Sequence, residues 1–224
     1  NHTPAPNTSM ESVPKPNKSV DLFIRIGSWR FPISVLIVFA STIAFLWLII
    51  PLFDPGPPIN SDIGVHYSAI ACYLQGDHWN LQTAWCNHGQ AGLARFSRYA
   101  VVHAYVTVFL SWFMPLEVAF KVMMVLGFLL LPTASYFFLS WLGYPLAGAI
   151  AFTIFAFEPG GVNWGGYWLH FVVGGFINSM ATGFSLLTIF CILWMLSSPS
   201  YARVILTSGI GAVYFLSHPS SALW

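Results

Sequence analysis

Charge is what this sequence has least of. Only 7% of its 224 residues are Asp, Glu, Lys or Arg, against 57% hydrophobic residues and a mean hydropathy of +0.71. A water-soluble domain carries roughly a quarter of its residues as charges, so the composition excludes an ordinary soluble surface and points to the bilayer as solvent. The formal net charge is +1 and no basic patch is present, which excludes nucleic acid as an electrostatic partner. Cysteine is scarce too: three residues, in no zinc pattern and no Cys-x-x-Cys. Cys191 lies inside an apolar run, where a thiol packs as a small hydrophobe. Cys72 and Cys86 flank a polar region and pair if that region faces an oxidising compartment. The N-terminal segment does not read as a signal peptide either, being long and polar with no small-residue cleavage site before the apolar run. Residues 1–20 are polar, rich in Pro, Asn and Ser, and read as a disordered tail. Their two Asn-x-Ser triplets, at Asn7 and Asn17, matter for glycosylation only if the tail is outside.

What the chain does have is long apolar runs. Ile33 to Phe53 is free of charge and about 31 Å long as a helix, one hydrocarbon core. Lys15, Lys18, Arg25 and Arg30 precede it and no basic residue follows closely. The positive-inside bias therefore puts the N-terminus in the cytoplasm and residues 54–98 outside. Val122–Leu142, kinked at Pro132, Phe171–Ser197 and Val204–Trp224 are further spans. Tyr99–Met114 and Leu142–Phe157 are shorter. Counting every run as a crossing puts Arg203 outside, against the bias. A re-entrant or membrane-parallel Tyr99–Met114 returns it to the cytoplasm and is the preferred reading.

The expected fold is all-α: a polytopic transmembrane protein with about five or six membrane helices. Residues 1–30 form a cytoplasmic tail and pre-membrane segment, and 31–224 the transmembrane domain. A large external loop, 54–98, carries an amphipathic helix over about 61–75, and a second external loop covers about 158–170. Gly175, Ser179 and Gly183 form a small-residue face for close helix packing. Because the last apolar run reaches Trp224, the chain reads as the N-terminal part of something longer.

Ionisable residues concentrate in one stretch, "NSDIGVHYSAIACYLQGDHWN", Asn60 to Asn80. Asn60 or Ser61 caps a helix with Asp62 in its first turn. Helical spacing then groups Asp62, His66, Ala69 and Tyr73 on one face, and Ile63, Tyr67, Ile70 and Leu74 on another. Asp62 complements the helix dipole, or serves as general base or metal ligand with His66 orienting it or sharing a cation. Trp79, Trp85, His88, Arg95 and Arg98 follow. Outer arginines need anions, either lipid headgroups or a substrate phosphate; the tryptophans are belt residues or platforms for sugar rings. His170 follows Trp164 and Trp168, and His218 lies near the end of the last run. Both are site candidates, with a neutral His bonded to a neighbouring helix the alternative for His218. His103 reads as structural, and no two full spans present facing histidines for haem or chlorophyll.

The order of these features resembles the GT-C superfamily of membrane glycosyltransferases, which use polyprenyl-phosphate-linked sugars. Members begin with a cytoplasmic N-terminus and one span, then a first external loop carrying an essential Asp. The matching residues are Asp62-x3-His66, the helix ending "LQGDHW", a Trp and the Gly89-x-x-Gly92 stretch leading to Tyr99, and "LGYPLAGAIAFTIFAFEPG". A later "FLSHPSSAL" is similar to the "LTHP" of a multi-pass GT-C-like branch associated with pyruvoyl-tetrahydropterin synthase. The resemblance covers 33–224 and implies that Asp62 is the catalytic base, taking the proton of an acceptor hydroxyl that attacks the anomeric carbon. Arg95 or Arg98 would neutralise the departing lipid phosphate. His66, His88, Trp85, His170 and His218 would line the substrate site, and magnesium or manganese would bind at Asp62 and His66. Membrane lipids, the polyprenyl-phosphate sugar and other membrane proteins are the implied partners. The chain departs from the pattern in having one Asp rather than a paired acid, with only Glu158 in the second loop. That departure favours a second reading, a non-catalytic subunit of a membrane assembly on the same scaffold. A transporter ranks third, since no charge sits at the middle of a full span.

Overall fold

The computed structural model describes residues 22–26, 29–58, 61–75, 101–158, 170–171 and 175–217. These are mostly helical. A two-stranded ribbon comes first, β1 (Phe23–Ile26) and β2 (Trp29–Pro32), antiparallel with Ile26 opposite Trp29 and Arg25 opposite Arg30. It lies within the segment expected only as a tail and membrane approach. Alternating β-branched and aromatic residues flank Gly27-Ser28, a Gly-x pair suited to a two-residue hairpin loop, and so supply the missed strand signal. The Ile33 N–H donates to the Leu22 carbonyl at 2.8 Å, so the ribbon closes directly onto the next helix.

That helix, α1 (Ile33–Leu48), gives way at Ile50–Phe53 to a 3₁₀ turn. Pro51 lacks an N–H and its ring clashes with the preceding turn, so the expected unbroken run of 21 residues divides in two. Then come α2 (Ser61–Gln75), α3 (Val102–Ser111), α4 (Leu116–Trp141), α5 (Pro145–Phe157), α6 (Phe176–Ser197) and α7 (Tyr201–Ser217). Gly143, at φ 94°, ends α4: the N–H of Tyr144 reaches back to the Leu139 carbonyl at 2.8 Å, and Pro145 starts α5.

Among the described residues, two helices are long and apolar enough to cross a membrane, Leu116–Trp141 and Ile177–Ser197, rather than the expected five or six. The other apolar helices have 10 to 17 residues. The long α4 is the centre. Against it, α6 runs parallel: a Cβ on Gly127 would lie 3.5 Å from Met180, and one on Gly183 would lie 2.8 Å from the Leu131 nitrogen. At Gly183 only glycine admits that approach. The neighbouring α5 turns back along α4, with Gly148 so close that a Cβ would meet the Tyr136 carbonyl at 2.9 Å. The α1 helix follows α5 through Ser41 and Thr153, whose hydroxyls are 2.8 Å apart, and packs Phe45 on Phe128 of α4 at 5.0 Å. Antiparallel to α6, α7 donates Thr207 Oγ1 to the Cys191 carbonyl at 3.2 Å.

These pairings set α1, α5 and α7 in one direction and α4 and α6 in the other. They gather the C-terminal ends of α1 and α5 and the N-terminal ends of α4 and α6 at one end of the bundle. The α2 helix packs there. So does α3, a 10-residue helix that runs beside the first half of α4. It starts where α7 stops, with the Val101 N–H donating to the Leu216 carbonyl at 3.2 Å. Phe45, Ile63, Ile70, Val101, Phe120, Met124, Phe128 and Phe171 form the shared core of this end.

Candidate functional site at the polar end of the bundle

Helix α2 buries Ile63, His66, Ile70 and Tyr73, a stripe at spacings of three, four and three. This corrects the expected faces. Asp62 is exposed, whereas His66 turns inward and is 5% exposed, so the two do not share a surface. The reason is that Ile63 and Ile70 have more apolar area to bury than Ala69, and they rotate the helix about its axis. Asp62 makes no hydrogen bond or ion pair among the described residues. It stays in the first turn, where the helix dipole favours a carboxylate.

Across from α2, the His66 ring meets His103 of α3 edge to face, with centroids 5.0 Å apart and planes at 89°. His103 is wholly buried, and one turn on Thr107 Oγ1 donates to its carbonyl at 2.8 Å. Sequence reasoning set His103 aside as structural. It stands beside a predicted site residue because α3 folds back along α4 from a start level with the core.

Lys121 was missed entirely. The expected span began at Val122, which left Lys121 as a flanking charge, but α4 starts at Leu116 and carries it inward. It is 3% exposed, and its Nζ donates to the carbonyls of Asp54 and Gly56 at 2.7 and 2.8 Å. A buried ammonium is tolerated only with such partners. Gly56 adopts φ 111°, the left-handed region open to glycine, as the chain leaves the 3₁₀ turn. Lys121 thus ties the path from α1 toward α2 onto α4. Tyr67 packs on Phe120 at 5.6 Å, and burial, helped by the Glu117 charge, pushes its phenol pKa up.

His170, in the connection between α5 and α6, is fully buried among Phe45, Phe128 and Phe171. Its Nε2 lies 2.7 Å from the Met124 carbonyl, and since a carbonyl only accepts, Nε2 carries the proton. Burial holds the imidazole neutral, its pKa pushed down to about 3.

Of the expected site residues, the structure places His66 and His170 in one polar end and leaves Asp62 on its rim. Trp85, Cys86, His88, Arg95, Arg98 and His218 lie outside the described residues. Cys72 is disulfide-bonded, and Cys86, its expected partner, is in that undescribed set. Cys191 is a buried free thiol. Asp62 and His66 do not fit a shared magnesium or manganese ion, since one faces water and the other the core. Among the described residues no three His, Cys, Asp or Glu side chains gather as a ligand set. Nothing in the chain matches a known family model, a curated protein or a solved structure.

Proposed function

We propose that the chain is a multi-pass membrane protein with five crossing helices, α1, α4, α5, α6 and α7, and that its polar end faces the outer side. There it transfers a sugar from a polyprenyl-phosphate donor. The observation that carries this reading is the partition of charge between the two ends. All four described carboxylates, Asp54, Asp62, Glu117 and Glu158, and the buried Lys121, belong to the end where α2 and α3 pack. Arg25, Arg30 and Arg203 belong to the other. An arginine end and an acidic end on an apolar bundle match the cytoplasmic bias of basic residues. Polar groups gathered inside such a bundle mark a working site more often than a structural one.

In this reading α3 is re-entrant rather than crossing. At about 15 Å it is half a hydrocarbon core in length. Asp62, on the aqueous rim, takes the proton from the acceptor hydroxyl. The acceptor oxygen bonds to the anomeric carbon as the carbon–oxygen bond to the lipid phosphate breaks, and polyprenyl phosphate leaves. The buried His66 and His103 pack α2 on α3 and so hold the helix that carries Asp62.

One observation favours the second reading, a non-catalytic subunit. Asp62 belongs to no group of three His, Cys, Asp or Glu side chains among the described residues. Sugar transfer from a polyprenyl-phosphate donor by purified wild type and Asp62→Asn separates the two. The catalytic reading expects transfer to fall at least about 100-fold with folding retained. Undiminished turnover in the variant contradicts the role of Asp62, and absence of turnover in the wild type supports the subunit.

A further inference from the structure

Helix α2 is lightly tied to the rest of the polar end. It packs through the single stripe of Ile63, His66, Ile70 and Tyr73, and no backbone hydrogen bond joins it to another element among the described residues. Helix α3, by contrast, is fixed at its start by the Val101 to Leu216 bond. Two ionisable rings stand between them. His66 and His103 are buried and meet edge to face at 5.0 Å, so the α2–α3 seam is closed by groups whose charge depends on pH. Sugar transfer, as proposed, makes no use of that property.

We propose that the His66–His103 contact is a pH-sensitive clasp, which holds α2 on α3 while both rings are neutral and releases it when they are protonated. A charged imidazolium in an apolar seam has lost its hydration, and two with centroids 5.0 Å apart also repel. Both costs vanish once α2 lifts away and each ring takes its proton from water. The released form binds more protons, so its share grows as the pH falls below the ordinary imidazole value of about 6.5. The helix itself offers a partner to the charged His66. Asp62 lies exposed four residues earlier, at the spacing that lets a carboxylate meet a cation along a helix. Release thus exchanges a ring contact in the core for an Asp62–His66 ion pair in water. The other titratable groups on the packed elements are Tyr67 and Tyr73 on α2, Tyr105 on α3, Glu117 and Lys121 on α4, and Tyr214 on α7. Tyr73 and Tyr105 lie close enough for their phenols to interact, Glu117 acts on Tyr67, and Lys121 is held by the Asp54 and Gly56 carbonyls. Phenols, carboxylates and amines ordinarily titrate outside the imidazole range. His170 takes its proton in the Phe45–Phe128–Phe171 cluster, so the clasp is read on α2 itself. The inference rests on the packing of α2 and not on sugar transfer.

Hydrogen exchange of the full chain in detergent micelles, corrected for the intrinsic effect of pH on exchange, tests it. Between pH 7 and pH 5 the protection of α2 amides should fall about 25-fold if one ring is charged on release, and further if both are. The α6 amides should remain the better protected throughout. His66→Phe with His103→Phe keeps an aromatic contact that takes no proton, and its α2 protection should change by less than about twofold over the same range. If that double variant does not fold, His66→Gln replaces it in the comparison, and its α2 response should not exceed that of one proton. Unchanged α2 protection in the wild type from pH 7 to pH 5 would overturn the proposal. So would a variant that responds as fully as the wild type, or α2 and α6 amides losing protection in step, which would make the acid response global.

Discussion

The two ends of this bundle are built from equally apolar helices yet treat charge in opposite ways. At the end where α2 and α3 pack, cationic and imidazole groups go inside: Lys121, His66, His103 and His170 are each 5% exposed or less. At the other end Arg203 stays partly exposed, lying on an indole face, and the arginines of the ribbon precede the bundle altogether. Burial of charge is expensive, and a fold without a use for it tends to leave charge in water. The first end is organised around polar contents, and the second keeps its charge at the surface.

Removing charge from each end in turn should break this comparison. Lys121→Met takes the ammonium from between the Asp54 and Gly56 carbonyls, leaves both part-buried bonds unmade and frees the chain they hold. The expected loss is about 3–4 kcal/mol, seen as a lowered denaturation midpoint in detergent. A loss under about 1 kcal/mol would mean that the buried lysine is not holding the chain between α1 and α2.

A smaller effect is expected from His170. Its pKa is about 3 in the folded chain against an ordinary 6.5, because burial disfavours the cation. The unfolded chain therefore binds the proton first as the pH falls. Stability is flat above about pH 6.5 and declines by about 1.4 kcal/mol per unit between there and about pH 3. Denaturation at pH 6.5 and at pH 4.5 should differ by about 2–3 kcal/mol, and His170→Gln should flatten that slope. An unchanged slope in the variant would locate the sensitivity elsewhere.

The smallest effect belongs to the other end. Arg203→Gln removes a partly exposed cation–π contact and one hydrogen bond, so it should cost about 1 kcal/mol or less. A cost matching that of Lys121→Met would erase the distinction between the ends.

Much of the helical layout was legible because it is written in composition. Charge-free runs long enough to cross a bilayer point to helices whatever they pack against, and the Leu142-Gly-Tyr-Pro turn marks the α4–α5 corner through Gly143 and Pro145. Three things were not legible. The start of α4 at Leu116 precedes its hydrophobic run, so Lys121 fell just outside the expected span. The rotation of α2 depends on what Ile63 and Ile70 find to pack against, which helical spacing alone does not contain. The meeting of α7 with α3 joins segments a hundred residues apart, and no local pattern encodes the Val101 to Leu216 hydrogen bond. The ribbon's signal, Gly27-Ser28 between alternating flanks, is present in the sequence, but it runs directly into the apolar stretch of α1 and reads as part of its approach.

Cysteine accessibility tests most directly whether the polar end and the arginine end lie on opposite sides of a membrane, as proposed. Pro57, beside the Lys121 anchor, and Ser198, in the α6–α7 turn, are both exposed. Single Pro57→Cys and Ser198→Cys variants would be treated with a membrane-impermeant maleimide on intact cells and again after permeabilisation. In the proposed orientation Pro57→Cys is labelled on intact cells and Ser198→Cys only after permeabilisation, above the native-cysteine background. Labelling of Ser198→Cys on intact cells, alone or equally with Pro57→Cys, would contradict it.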